Sequence, residues 1–181
     1  MMFDEKKATE AAAFLLKLRG GKMSYLKLIK LLYLADREAL RRWGFSITND
    51  RHVSMPHGPV VSNTYNLMIE DTEKPFWAHY ISAPLGDYEL ELRGECPTDK
   101  LSRAEERLLT EIFSEFGQMN RWALRDYTHG LPEWRDPNGS SLPISVRDIL
   151  EAQGVSVQDI SDITDDLNQA DKADQLLGET R

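Results

Sequence analysis

Apolar side chains recur at helical spacing along most of this chain. Ala8, Ala11, Ala12, Leu15 and Leu18 predict a first helix over residues 4–18, ended by Gly20-Gly21. A second helix is predicted from Lys22 to Trp43, with Gly44 placed for a left-handed cap. Its main stripe is Tyr25, Leu28, Ile29, Leu32, Ala39, Leu40 and Trp43, and Leu26, Leu31, Tyr33 and Leu34 carry the apolar surface almost all the way round. A helix apolar on every side is a buried one, so it is expected at the centre of the fold. Asp36 falls in that stripe and must be held there by an arginine or by backbone donors, unless it is a functional acid.

The pattern then changes. Phe45 to Met55 alternates around a polar tip at Asn49-Asp50, as a hairpin or two short strands would. Pro59 is placed for the first turn of a short helix carrying Val60, Val61, Thr64, Tyr65, Leu67 and Met68. After a polar connector at 70–74, Trp77–Ile81 and Tyr88–Leu92 read as two strands joined through residues 84–87; Tyr88, Leu90 and Leu92 alternate with Glu89, Glu91 and Arg93, the period of a sheet with one wet face. Ser102 and Glu105 form a capping-box signature ahead of Leu108, Leu109, Ile112, Phe113 and Phe116. Asn120 opens a helix through Tyr127, Asp136 to Pro143 is a loop, and Ser145 to Gln153 is a last short helix. Beyond Ser156, Val157, Ile160, Ile163 and Leu167 are spaced as in an amphipathic helix on an acidic background, with fraying or disorder expected past Gln169. The expected fold is α+β and predominantly α-helical: helices around a central buried helix, with a small antiparallel β-sheet. Two units are expected, a domain over 1–155 and an acidic tail over 156–181.

At 181 residues the chain can bury a core without disulfides or a structural metal. Its single cysteine, Cys96, cannot form an intramolecular disulfide; no apolar run approaches the length of a membrane span, and the first ten residues mix acids and bases unlike a signal peptide. These features together predict a cytoplasmic protein. The net charge of −8 is uneven: residues 1–55 carry +5, residues 56–155 carry −8 and residues 156–181 carry −5. Such polarity favours oriented docking on a charged partner, whereas an acidic total opposes general nucleic-acid binding.

Chemistry-bearing motifs are few. His52 and His57 are separated by five positions across an extended segment containing Pro56, and His79 and His129 lack companions at metal-ligand spacing. No GxSxG elbow, GxGxxG or P-loop occurs, and Cys96 has no local base. The expectation is therefore no enzyme, no cofactor and no metal. His57-Gly58-Pro59 is either the turn from strand into helix or a helix end able to accept a carboxylate or phosphate. In the segment Thr128 to Trp134, Trp134 is expected to cover the core edge, with Thr128 and His129 satisfying a helix end.

The order of these blocks resembles the Panacea-domain family of SocA-like antitoxins. Leu28 to Asp36 resembles the family's opening helix; Ser46 to Pro59, continued by Ser62 to Tyr65, resembles its polar stretch and Gly-Pro-Val segment; Leu101-Ser102 with Glu105 to Gly117, then Thr128-His129 with Trp134, and Ile144 to Gly154 follow in order. The resemblance covers roughly residues 8–155. It implies a mainly helical domain with a small sheet that neutralises a toxin protein encoded in the same operon by direct binding, in some members as a proteolytic adaptor to a Clp-type protease, often in prophage-like contexts. The residues least explained by core packing, Asp50, Arg51, His52, His57, Thr64, Tyr65, His129 and Trp134, are the candidate toxin contacts. The alternatives are a DNA-binding regulator of its own operon, drawing on the basic first third with Arg37, Arg41 and Arg42, and an enzyme with a spatially assembled site.

Overall fold

In the computed structural model of the chain, residues 2–70, 75–84, 86 and 88–178 are described. Helix α1 (Glu5–Leu18) is capped by Asp4, whose carboxylate accepts from Lys7 N at 3.2 Å. Strand β1 (Lys22–Ser24) leads into α2 (Tyr25–Trp43), capped by Ser24 and closed by Gly44 in the left-handed conformation. The predicted second helix therefore loses its first turn to a strand. Its pairing partner is distant: β1 runs antiparallel to β4 (Glu89–Glu91), a match that no local pattern reveals.

Helix α2 is the central element, with Leu28, Ile29, Leu31, Leu32, Tyr33, Ala39 and Leu40 all buried. Around it stand α1, α5 (Arg103–Phe116), α6 (Arg121–His129), α7 (Val146–Ala152) and strand β3 (Gly58–Val61). The alanines of α1, Ala8, Ala11, Ala12 and Ala13, are buried and let the neighbouring helices approach closely. Helix α5 has both halves of the capping box expected at Ser102 and Glu105. A second box, unforeseen, joins Ser145 and Asp148 at the start of α7.

Strands β2 (His52–Met55), β3 and β5 (Leu142–Ile144) form an antiparallel sheet in the order β3-β2-β5. The fold is thus α+β and mostly helical, with small antiparallel sheets. Pro59 does not open a helix; it lies in edge strand β3 opposite Ser54, and the helix α3 (Ser62–Ile69) begins three residues later. Proline is tolerated there because an edge strand can spare an N–H on its outer side. The other edge, β5, also carries a proline, Pro143. The expected strand Trp77–Ile81 is instead α4 (Pro75–Tyr80), leaving only an isolated bridge between Ile81 and Leu92. Most of the connector expected at 70–74, and part of the turn expected at 84–87, lie outside the described residues. From Val157 to Gly178 the acidic tail is one helix, α8, anchored by the buried Ile160. No helix among the described residues is long and apolar enough to cross a membrane.

Candidate functional site

The β2–β3 hairpin divides the candidate residues between its two ends, roughly 10 Å apart for strands of this length. At its base, Asp50 works as the cap of α3. Its carboxylate accepts from Asn63 N at 2.9 Å, Thr64 N at 2.7 Å and Thr64 Oγ1 at 2.8 Å, satisfying donors that the first helical turn leaves open. Both Asp50 and Thr64 are buried by this contact. Arg51 is exposed beside them, and its carbonyl accepts from Ser62 N. Tyr65 is half-buried, its ring 6.2 Å from that of Tyr25.

His52 is buried, edge-on to Tyr33 at 5.8 Å, and its Nε2 lies 3.5 Å from Asp36 Oδ2 without a hydrogen bond. Asp36 is held by backbone donors, not by arginine: Ile47 N and Thr48 N reach its Oδ1 at 2.9 and 3.0 Å, and the Thr48 hydroxyl reaches Oδ2. That carboxylate therefore folds the segment after Gly44 back onto α2.

The tip of the hairpin brings together residues far apart in sequence. His57 is exposed, and next to it Gly58 has φ 94° and no room for a side chain. A Cβ there would lie 2.9 Å from Lys30 Nζ, 2.9 Å from Thr128 Oγ1 and 3.0 Å from the His129 ring. The requirement at this point is a bare backbone at positive φ, pressed against the end of α6. His129 stacks on Trp134 with ring centroids 4.3 Å apart, and Trp134 Nε1 donates to Met55 O at 3.2 Å. Burial, with the neighbouring Lys30 and Arg125 charges, holds His129 below the usual histidine range. Thus His57, His129 and Trp134 converge, while Asp50, Arg51, His52, Thr64 and Tyr65 gather at the other end. The helix-end anion site considered for His57-Gly58-Pro59 is absent, because the helix starts at Ser62 and its open N–H groups already hold Asp50.

Several residues in this region escaped the sequence reading. Lys30, on the apolar helix, is fully buried and donates to Pro59 O at 2.7 Å. Glu133 is buried between Tyr33 Oη at 3.0 Å and Arg37 Nε at 2.6 Å, and burial followed by the Glu133 charge raises the Tyr33 pKa. Trp122, on α6, is 49% exposed between the guanidinium groups of Arg121 and Arg125, at 5.1 and 5.0 Å from its ring. A helical wheel contains the signal for Trp122: Leu124 and Thr128 form the buried face of α6, and Trp122, Asp126 and His129 follow a different one. That second face leads directly to the hairpin tip.

Other chemistry is weaker. Among the described residues no cluster of His, Cys, Asp or Glu is arranged to hold a metal. Burial pushes the Cys96 thiol up to about 11, the opposite of what a nucleophile needs.

A family model for the antitoxin SocA-like Panacea domain matches residues 28–135. The chain belongs to this Panacea family. No curated protein and no solved structure gives a match. The Panacea segment takes in α2 from Leu28 onward through α6 and both ends of the hairpin, so it contains all eight candidate residues as well as Lys30, Trp122 and Glu133. Helices α7 and α8 and strand β5 lie beyond it.

Proposed function

We propose that this Panacea protein is an antitoxin that neutralises a toxin protein, encoded in the same operon, by binding it directly in the cytoplasm. The observation that carries the proposal is the family match over the segment that builds the hairpin and α6. The surface adds support. The stacked His129–Trp134 pair beside His57, and the exposed Trp122 flanked by Arg121 and Arg125, are aromatic and arginine side chains of the kind from which interface anchors are usually drawn. Arg51 and Tyr65 extend the candidate contacts at the hairpin base, where Asp50, His52 and Thr64 hold the backbone that presents them. No residue needs a catalytic role in this reading. Residues 1–155 serve as the antitoxin domain and residues 156–181 as an appended docking element.

The test is co-expression of the chain with each neighbouring open reading frame, scoring growth and co-purification together. A neighbour that is toxic alone, harmless with this chain and retained on it is the expected result. Trp122→Ala should then weaken retention about 30-fold, the scale of an interface anchor near 2 kcal/mol, without altering the melting temperature. Toxicity that no neighbour loses, with nothing retained, defeats the proposal. Delivery to a Clp-type protease is separated from occlusion by the toxin's half-life, which shortens on co-expression only under delivery.

A further inference from the structure

The tip of the β2–β3 hairpin is fastened to the body from outside its own sheet. Strand β5 pairs only with His52 to Ser54 of β2, so residues 55–58 project past it. Among the described residues, the tip is held by Trp134 Nε1 on Met55 O, by Lys30 Nζ on Pro59 O and by the press of Gly58 on Thr128 and His129; next to it the Arg135 amide donates to Ser54 Oγ at 3.2 Å. The base is fixed separately, by the Asp50 cap of α3 and by the Ser62 amide on Arg51 O. A segment with a firm base and a lightly fastened tip can open locally while the domain stays folded.

Beneath the tip lie two groups able to carry charge. Lys30 is 0% exposed, and its described bond to Pro59 O leaves the other hydrogens of an ammonium without an acceptor. His129 Nε2 is buried without a hydrogen-bond partner. The charges acting on His129 are Lys30 of α2, Arg125 and Asp126 of α6 and His57 of the tip, and Asp126 already accepts from Arg125 at 2.8 Å. On α2, Lys27 and Tyr33 lie about one turn to either side of Lys30; Lys27 donates to Gly117 O, and Glu133 is committed to Tyr33 and Arg37. No acid is thus left to neutralise an ammonium at Lys30, where burial is what acts on the group.

We propose that the hairpin tip is a proton-operated flap, closed on neutral Lys30 and His129 and lifted from α2 and α6 when these groups take up protons and need water. With the tip lifted, Lys30 is wet and titrates near its ordinary 10.5; closure buries it and brings it down to about 7. Burial, followed by the Lys30 charge, likewise lowers His129 from 6.5. Protons therefore bind the open form better. The open-to-closed ratio rises as pH falls from 10.5 to about 7 through Lys30, and rises again below 6.5 through His129. The flap is a property of the chain alone; under the antitoxin reading it makes the contacts at His57, His129 and Trp134 pH-dependent.

Hydrogen exchange of the full chain tests the flap through two donors that reach the hairpin from outside it, the Trp134 indole N–H and the Arg135 amide. Their protection factors, corrected for the intrinsic pH dependence of exchange, should fall roughly 50-fold from pH 9 to pH 7, the change that a shift from 10.5 to about 7 produces. At both pH values they should stay at least about 10-fold below those of buried α5 amides such as Leu109, which open with the whole domain. Lys30→Met should abolish the change between pH 9 and pH 7. His129→Phe, which keeps a ring on Trp134, should retain that change and lose the further one between pH 7 and pH 5. Protection that does not vary with pH, or that equals that of α5, overturns the proposal, as does an unaltered response in Lys30→Met. If Lys30→Met does not fold, the wild-type and His129→Phe profiles decide alone.

Discussion

Lys30 shows how much a single residue can cost inside this fold. Its side chain is fully buried on α2, and its one described hydrogen bond is to Pro59 O. Burial pushes its pKa from 10.5 down to about 7. Between those values the unfolded chain holds a proton that the folded chain lacks, so stability rises with pH across that window. Below about 7 the destabilisation is fully present; near 10.5 it is gone. Over the full interval the effect is on the order of a few kcal/mol. Lys30→Met removes it, at the loss of the bond to Pro59. Urea midpoints of the two proteins between pH 6.5 and 9.5 should therefore converge or cross, with the wild type gaining on the variant as pH rises. Parallel curves would show that Lys30 titrates normally. The sequence marks Lys30 as one polar position in an apolar run, but it does not show that Gly58 and Pro59 return to cover it. Asp50 and Thr64 pose the reverse problem: their polarity suggests a surface, whereas they face one another across a helix start.

Among the elements, the clearest test is the contrast between adjacent residues at the hairpin base. Asp50→Ala strips the carboxylate from the N-terminus of α3, leaving Asn63 N and Thr64 N without their partner. A cap of this kind contributes about 1–2 kcal/mol, and 1 kcal/mol shifts the melting temperature of a chain this size by about 2–4 °C. A thermal melt should therefore show a loss of several degrees. Arg51→Glu, on an exposed side chain, should leave the melt nearly unchanged while weakening toxin retention; a reversed pattern would exchange the structural and interface roles assigned here. Elements were legible in the sequence where the local pattern sufficed. Helices α1, α2 and α5 carry long apolar stripes, α6 is marked by its cap at Asn120, and α2 was correctly placed at the centre. Helix α4 was not legible, because in a run of six residues Trp77 and Ile81 satisfy both helical and alternating spacing. Strand β1 depends on β4, more than sixty residues away, and β5 consists of three residues in a loop rich in Pro, Gly and Ser. Of the candidate contacts, His57, His129 and Trp134, chosen as polar or aromatic residues that core packing explains least, lie together in the structure, while Trp122 is hidden among ordinary helix residues in the sequence.

For the whole molecule, folding changes the meaning of the charge pattern. The first 55 residues carry +5, but many of those cations are matched by acids from later segments. Lys7 pairs with Glu105 at 2.7 Å, Lys22 with Glu89 and Glu91 at 3.0 and 2.9 Å, Arg37 with Glu133 at 2.6 Å and Arg42 with Glu111 at 2.8 Å. Lys27 and Lys30 are buried on backbone carbonyls. The polarity of the sequence is thereby largely spent between elements instead of being gathered on one face. DNA affinity needs the opposite arrangement, with Lys and Arg aligned along a surface and each phosphate contact adding to the salt slope. Arg37 and Arg42, two of the residues the regulator alternative draws on, already have carboxylate partners, as does Arg41 with Glu38. The acidic helix α8 adds Asp159, Asp162, Asp165 and Asp166 to a total of −8. Titration of the purified chain against its own upstream DNA should accordingly give no shift at 150 mM salt, and only weak binding at 50 mM. Tight binding at 50 mM that falls by 10³ or more by 200 mM would require six or more phosphate contacts. These ion pairs cannot supply such contacts without opening, so that outcome would put the regulator reading ahead of the antitoxin one.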